Sequence, residues 1–365
     1  MKGMTLGSLF DGSGGFPLAG EMNGMTPVWA SEIEPYPLKV TTARFPGMKQ
    51  LGDVTKIDGE AIDPVDVITF GSPCQDLSVA GKQTGIHAGK RSSLFFEAVR
   101  IIREMRGITN GKYPRFAVWE NVPGAFSSNK GADFCAVLQA LCEIADPDAA
   151  VPEPPKGKWS KAGCIVGDGY SIAWRVYDAQ YWGVPQRRKR IYLVADFGSE
   201  RAGEILFERE GVRGDSAQGG EAREGAADDA AGGAEGIRVY DCRGKGDGRT
   251  VPNLTGDHEN RVTDYTSVCV GNGQMHQTEL CDRTGALNCM HDQQAIIHNA
   301  KPPRRYIVRR LTPLECCRLQ GFPDWWEDGA NGSDSARYKM WGNGIALPCA
   351  ADVMRRIAKE DACNT

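Results

Sequence analysis

Over its first 200 residues the chain alternates short apolar runs, each bounded by glycine or polar turns, with segments whose apolar residues recur every three to four positions. That alternation predicts an α/β domain built on a mostly parallel sheet. The strand candidates are 5–10 (TLGSLF), 27–31 (PVWAS), 66–70 (DVITF), 116–121 (FAVWEN) and 190–197 (RIYLVADF). Between them, Leu94, Ala98, Ile101 and Met105 mark one sheet-covering helix, and Phe134, Leu138, Leu141 and Ile144 mark another.

The pattern breaks twice. Residues 147–158 (PDAAVPEPPKGK) read as a surface insertion, and 214–236 are small, acidic and nearly free of large apolar side chains, the composition of a flexible segment. Residues 237–300 are rich in Gly, Asn, Asp, Thr and His, which suggests short strands joined by long loops. Regular structure returns at LTPLECCRLQG: Thr312 as N-cap, Pro313 in the first helical turn, Glu315 closing a capping box and Gly321 as the stop. The stretch 342–359 opens on glycine and ends as an amphipathic helix.

Length changes the picture little: 365 residues call for one large domain and a smaller one. No apolar run approaches the ~20 residues that span a bilayer, and the N-terminus enters strand-like sequence without a signal-peptide pattern, so an intracellular, non-membrane protein is expected. The twelve cysteines are scattered without a short-period framework, as for reduced, buried thiols. Cys281, Cys289 and His291, with Cys242 and Cys269 upstream, lack a paired CxxC, so no metal site is expected. The formal net charge of -4 is concentrated: residues 200–236 hold ten acids against four arginines, leaving the remainder at +2. Against that background the basic clusters 186–190 (QRRKR) and 301–310 (KPPRRYIVRR) suit phosphate contact, although solvated surface is the ordinary reading of either alone.

Candidate chemistry gathers at strand ends. LFDGSGGF sets Gly12, Gly14 and Gly15 between a strand and a helix, where a backbone can turn tightly and admit a ligand to the helix N-terminus; a dinucleotide, S-adenosyl-L-methionine (SAM) or a plain turn all fit. Glu32, about twenty residues on, stands where a carboxylate takes ribose hydroxyls. Asp53 stands where a third strand would present an acid. Pro73-Cys74-Gln75 follows the buried run VDVITF, so the Cys74 thiol would enter the crevice beyond the sheet, where a nucleophile needs help from nearby cations or dipoles. Glu120 and Asn121 close another buried strand, a poor place for a carboxylate unless something bonds to it. A thiol, an acid and a glycine loop at one sheet edge make an active-site hypothesis.

These segments occur in the order LFDGSGGF, ASEIEPY, GDV, GSPCQDLSVAGKQTG with RSSLFFE, WENVPG, YWGVPQRRKRIYLVADF, RRLTPLECCRLQGFPDWW and YKMWGNGIALP. In that order the chain resembles the DNA (cytosine-5)-methyltransferases of bacteria and phages over nearly its whole length, excepting 198–300. The resemblance implies a Rossmann-like SAM-dependent methyltransferase sheet with a smaller, loop-rich target-recognition domain. It divides the chain into a discontinuous catalytic domain, 1–197 plus 337–365, an acidic linker, 198–236, and a recognition domain with its connecting helix, 237–336. It implies methyl transfer from SAM to C5 of a cytosine flipped out of a specific duplex sequence, through a covalent bond from Cys74 to C6 that makes C5 nucleophilic. Glu120 would then act on N3 and the exocyclic amine, and Arg188 and Arg190 would border the pocket. Phe10, Gly12, Gly14, Gly15, Glu32, Ile33, Asp53 and Asn343 would hold SAM, while Pro73, Gln75, Ser78 and Asn121 would meet the substrate. Double-stranded DNA is the implied partner of a monomeric enzyme, with a cognate restriction endonuclease as the usual companion of such proteins.

Asp11, Ser13, Ile33 and Gly344 depart from the commoner residues of that family's motifs. A nicotinamide-dependent oxidoreductase shares the glycine loop and acid but gives no role to Cys74 with Glu120. A DNA-binding relic would not need cysteine, acid and glycine loop all intact, and an RNA-directed relative is separated from the DNA reading by substrate. The sequence recognised on DNA depends on loop-borne side chains and is not legible here.

Overall fold

The computed structural model describes residues 3–72, 94–154, 157–207, 237–241, 251–252, 266–270, 295–299, 306–309 and 311–362. The acidic segment 214–236 and Cys242, Cys281, Cys289 and His291 lie outside the described residues. The chain divides into two units: Met1–Tyr177, Lys189–Val212 and Ala350–Thr365 form the first, Asp178–Arg188 and Arg213–Cys349 the second. Among the described residues no helix is long and apolar enough to cross a membrane, and no three His, Cys, Asp or Glu residues are grouped as metal ligands.

The first unit carries an eight-stranded mixed α/β sheet. Its strands are β1 (Thr5–Leu9), β2 (Thr26–Ser31), β3 (Lys49–Gln50), β4 (Val67–Phe70), β5 (Phe116–Asn121), β6 (Ala162–Gly167), β7 (Tyr170–Asp178) and, after the two-residue β8 (Gln186–Arg187) of the second unit, β9 (Lys189–Asp196). The order is β3-β2-β1-β4-β5-β9-β7-β6. Strands β1 to β5 run parallel, and β9 returns antiparallel to β5. Chain order reverses between β1 and β4, the switch point beyond which ligands of such sheets bind. The strands expected at 5–10, 27–31, 66–70, 116–121 and 190–197 are all there. So are the two helices, which continue the series α1 (Gly15–Glu21) and α2 (Pro35–Arg44) as α3 (Leu94–Ile108) and α4 (Ala132–Ala145).

The apolar faces of α3 and α4 close on a core in which Phe95 and Phe134 each pack on Trp119, with ring centroids 5.9 and 6.0 Å away. At the amino ends of the strands Asp66 gathers three of them: its Oδ2 accepts from the Thr5 N–H and hydroxyl at 2.7 Å, and its carbonyl accepts from the Arg115 and Phe116 N–H groups at 3.0 Å.

The hairpin β6–β7 was not among the expected strands. Its signal is Asp168-Gly169 between two alternating runs, with Gly169 at φ +73°. Two glycines hide β6, because Gly163 and Gly167 have low strand propensity. They stand opposite Trp174 and Tyr170 of β7, whose rings occupy the space a Cβ would need, an aromatic cover for glycines in an edge strand.

In the second unit β10 (Ile237–Asp241), β12 (Thr266–Val270), β13 (Ala295–Asn299) and β14 (Tyr306–Arg309) form a four-stranded sheet, and β11 (Val251–Pro252) pairs with β8. After α5 (Ala202–Leu206) of the first unit come α6 (Pro313–Leu319) and α7 (Asp334–Asn343) of the second, and then α8 (Leu347–Ala362), which from Ala350 onward belongs to the first. The α6 cap is the expected box: the Glu315 N–H donates to Thr312 Oγ1 at 3.2 Å and the Thr312 N–H to Glu315 Oε2 at 2.6 Å. Gly321 takes φ +79° just past its end.

Close packing in the sheet is tested at Gly7, in the middle of β1. A methyl there overlaps the ring of Trp29, which is buried and fixed by its Nε1–H bond to the Asp63 carbonyl at 2.9 Å. Overfilling a core in this way costs about 1–3 kcal/mol, so Gly7→Ala should lower the thermal unfolding midpoint followed by circular dichroism.

Candidate active site

Parallel register brings the strand ends level. Leu9 pairs with Phe70 and Phe70 with Trp119; one residue further stand Phe10, Gly71 and Glu120. Beyond β1 the chain turns at Phe10 (φ +55°), Gly12 (φ +56°) and Gly14 (φ +78°), which precedes Gly15 at the start of α1. Only glycine takes such angles without cost, so Phe10 is the strained member of the loop. Glu32, at the end of β2, ties the loop down: its Oε2 accepts from the Gly12 N–H at 2.7 Å, and its Oε1 from the Ile33 and Glu34 N–H groups at 2.7 and 2.8 Å. Beside it the apolar side chain of Ile33 is 69% exposed. A Cβ at Gly12 would meet nothing nearer than the Phe10 carbonyl oxygen at 4.0 Å. An open glycine turn, a carboxylate at its rim and an exposed aliphatic surface fit a nucleoside-bearing cofactor such as SAM.

Asp53 does other work in this structure. Its Oδ1 accepts from the Thr55 N–H and hydroxyl at 3.0 and 2.8 Å, capping the 3-10 turn Val54–Lys56. Those two bonds, with lesser help from Lys56, hold its carboxyl below the ordinary aspartate range. Asn343, expected at the cofactor, is exposed at the end of α7 in the second unit.

At the end of β5 the pleat separates Trp119, in the aromatic core, from Glu120. Because β9 runs antiparallel, its first residues lie beside the last of β5, and Glu120 pairs with Tyr192. Arg190 therefore meets Glu120, Nε to Oε1 at 3.1 Å, with both side chains largely buried. The contact is an ion pair without hydrogen-bond alignment, and Oε1 has no hydrogen-bond donor. Buried acceptors are rarely left so; this one suits an arriving N–H donor. Gly71 leaves room for the acid, since a Cβ there would stand 3.4 Å from Glu120 Oε2.

Asn121 faces the next strand rather than open space. Its Nδ2 donates to the Ser72 carbonyl at 3.0 Å while its Oδ1 accepts from the Val122 N–H at 2.8 Å, and Trp119 Nε1 donates to Ser72 Oγ at 3.2 Å. Ser72, two residues before Cys74, is thus held from both sides of Glu120. Sequence reasoning passed over Ser72 and Trp119 as site residues; the available signal was their adjacency to PCQ and to Glu120-Asn121. Pro73, Cys74, Gln75 and Ser78 lie outside the described residues. Arg188 belongs to the second unit, buried, with its Nη2 donating to the Gly344 carbonyl.

Asp11 was visible in the sequence only as an unusual loop residue. Its Oδ1 accepts from Ser8 Oγ at 2.7 Å, and its Oδ2 is buried with no partner. Burial pushes its pKa up to about 8 against the lowering effect of the Ser8 bond, with Glu32 repulsion adding to the rise. The folded protein therefore takes up a proton that the unfolded chain releases near pH ~4. This contribution is whole below that pH and is lost as pH climbs toward about 8. Asp11→Asn, neutral at every pH, should remove that decline: urea unfolding between pH 5 and 9 should show the variant gaining on the wild type as pH rises.

Known proteins resemble the chain at several levels. A DNA N-6-adenine-methyltransferase of Escherichia phage P1 is 29% identical over 469 residues, 98% of this chain, and the chain spans 62% of that relative's length. The type II methyltransferase M.HpaII of Haemophilus parainfluenzae is 28% identical across 98% of this chain and 89% of its own. M1.ScrFI of Lactococcus lactis subsp. cremoris is 28% identical across 93% and 74%. Among solved structures, the S. pombe Dnmt2 methyltransferase superposes with TM-score 0.63 at 15% identity, covering 98% of this chain and 99% of that one. A putative DNA modification methyltransferase of an E. coli prophage superposes with TM-score 0.53 at 16% identity, covering 99% and 100%. The structural likenesses establish the methyltransferase fold. Residues 4–145, 166–205 and 245–359, most of the chain, match the model of the C-5 cytosine-specific DNA methylases, and the chain belongs to that family.

Proposed function

We propose that this protein transfers a methyl group to C5 of cytosine in duplex DNA, acting as a monomer with Cys74 as nucleophile and Glu120 as the acid. The observation that carries the reading is the clamp around Glu120: Arg190 pairs with its carboxylate on one side, while Trp119 and Asn121 hold Ser72, and with it the stem of the Cys74 segment, on the other.

In this scheme the target base leaves the stack, because neither face of C6 is open to a side chain within a duplex. The Cys74 thiolate bonds to C6 as Glu120, oriented by Arg190, gives its proton to N3 and accepts from the exocyclic amine at the same edge of the base. The electron pair of the ring then gathers at C5. After C5 is methylated its proton leaves to a base, the C5–C6 double bond re-forms, N3 hands its proton back to Glu120 and the sulfur–carbon bond breaks, releasing the thiolate. Phe10, Gly12, Gly14, Gly15, Glu32 and Ile33 would hold SAM, which supplies the methyl group when bound. Glu32 would keep one oxygen on the Gly12 N–H and offer its remaining lone pairs to a ribose.

The name of the phage P1 relative, an N-6-adenine enzyme, sets the competing outcome. Incubation with duplex DNA and labelled SAM, followed by nucleoside analysis and bisulfite sequencing, should find 5-methylcytosine in one sequence context; label on adenine N6 alone would overturn the reading. Cys74→Ser should abolish transfer while SAM binding by calorimetry stays within about twofold of wild type, an estimate for a thiol outside the cofactor loop. Glu120→Gln should slow single-turnover transfer by ~10²–10⁴, the usual contribution of a positioned acid.

A further inference from the structure

Beyond β5 the chain runs through two 3-10 turns, Pro123–Phe126 and Ser128–Gly131, into α4. The segment therefore lies at the sheet edge that carries Glu120. Its backbone is unusual: Asn129 (φ 47°, ψ 45°), Lys130 (φ 55°, ψ 33°) and Gly131 (φ +86°) are three consecutive left-handed residues. Residues with a Cβ enter that region at a cost, normally singly and as asparagine or aspartate. A lysine there persists because its surroundings over-determine it.

Those surroundings come from the stretch 147–158 that reads in the sequence as an insertion, and from Trp159 after it. Trp159 Nε1 donates to the Gly131 carbonyl at 2.8 Å. A Cβ at Gly131 would meet Pro154 Cγ at 2.9 Å and the Gly157 carbonyl oxygen at 3.2 Å, and one at Gly157 would meet the Lys130 carbonyl oxygen at 3.2 Å. Ser128 Oγ donates to the buried Asp133 carboxylate and fastens the loop to α4. Two chain segments thus brace one turn, and what the brace presents is charge: Lys130, Lys158 and Lys161 are exposed, and among the described residues none is in an ion pair.

We infer that the braced turn at Lys130, with Lys158 and Lys161, is a phosphate-contacting surface that grips the DNA backbone beside the active-site edge. Lysine is a mobile point charge suited to phosphate without sequence readout. Fixing its backbone rather than its side chain reduces the ordering lost on binding. The inference rests on the duplex-DNA reading above and adds the place where unspecific affinity resides.

The test is binding of a fluorescein-labelled duplex oligonucleotide by the full chain between 50 and 300 mM KCl. Each phosphate contact contributes about -0.9 to the slope of log K against log[salt], so Lys130→Ala/Lys158→Ala should flatten the slope by about 2 and weaken binding on the order of tenfold at low salt. Lys130→Gly separates function from folding: it relieves the left-handed backbone, so it should raise the thermal midpoint while still weakening DNA binding, opposite signs that a purely structural lysine would not give. Wild-type duplex binding with an unchanged slope in the double variant overturns the lysine assignment and leaves the methylation reading standing. Failure of the wild type to bind duplex DNA overturns both.

Discussion

Alignment of three strand ends governs the chemistry of this protein. Leu9, Phe70 and Trp119 stand abreast in β1, β4 and β5, and the glycine turn, the stem of the Cys74 segment and Glu120 begin at the next position of each. Side chains in a sheet alternate faces, so a slip of one residue in β5 would send Glu120 into the aromatic core and Trp119 out of it. The burial of Trp119 between Phe95 and Phe134 opposes that slip. The core is therefore what aims the acid.

The antiparallel turn of β9 adds the arginine. In an all-parallel sheet a residue beside the end of β5 would come from the end of another strand. Here it comes from the beginning of one, and the basic run that leads into β9 is delivered, at Arg190, against an acid. The cluster QRRKR, which by composition alone reads as phosphate contact or solvated surface, is divided by the fold: Arg190 goes to Glu120, and Arg188 turns to the Gly344 carbonyl within the second unit.

Much of this was legible in the sequence, for reasons that differ from element to element. Buried parallel strands announce themselves as apolar runs, and the α6 cap follows from the chemistry of Thr312, Pro313 and Glu315. The hairpin β6–β7 escaped because Gly163 and Gly167 look like breakers until Trp174 and Tyr170 are seen lying over them. Within the site, residue types and order pointed to Glu32 and Glu120. What they could not convey is where each carboxylate spends its hydrogen bonds: Glu32 on the glycine turn, Asp53 on its own 3-10 turn. Asn121, expected to meet substrate, holds the backbone of Ser72, a contact fixed by inter-strand geometry and invisible to spacing along the chain.

At the far end of the same strands, Asp66 knots β1, β4 and β5 together through the Thr5 hydroxyl and three backbone amides. One end of the sheet thus spends its polar groups on cohesion, which frees the other to leave acceptors unmet and backbone angles unrelaxed. Durability and reactivity are lodged some five residues apart on each strand, near enough to share a scaffold and far enough that either can be altered by itself.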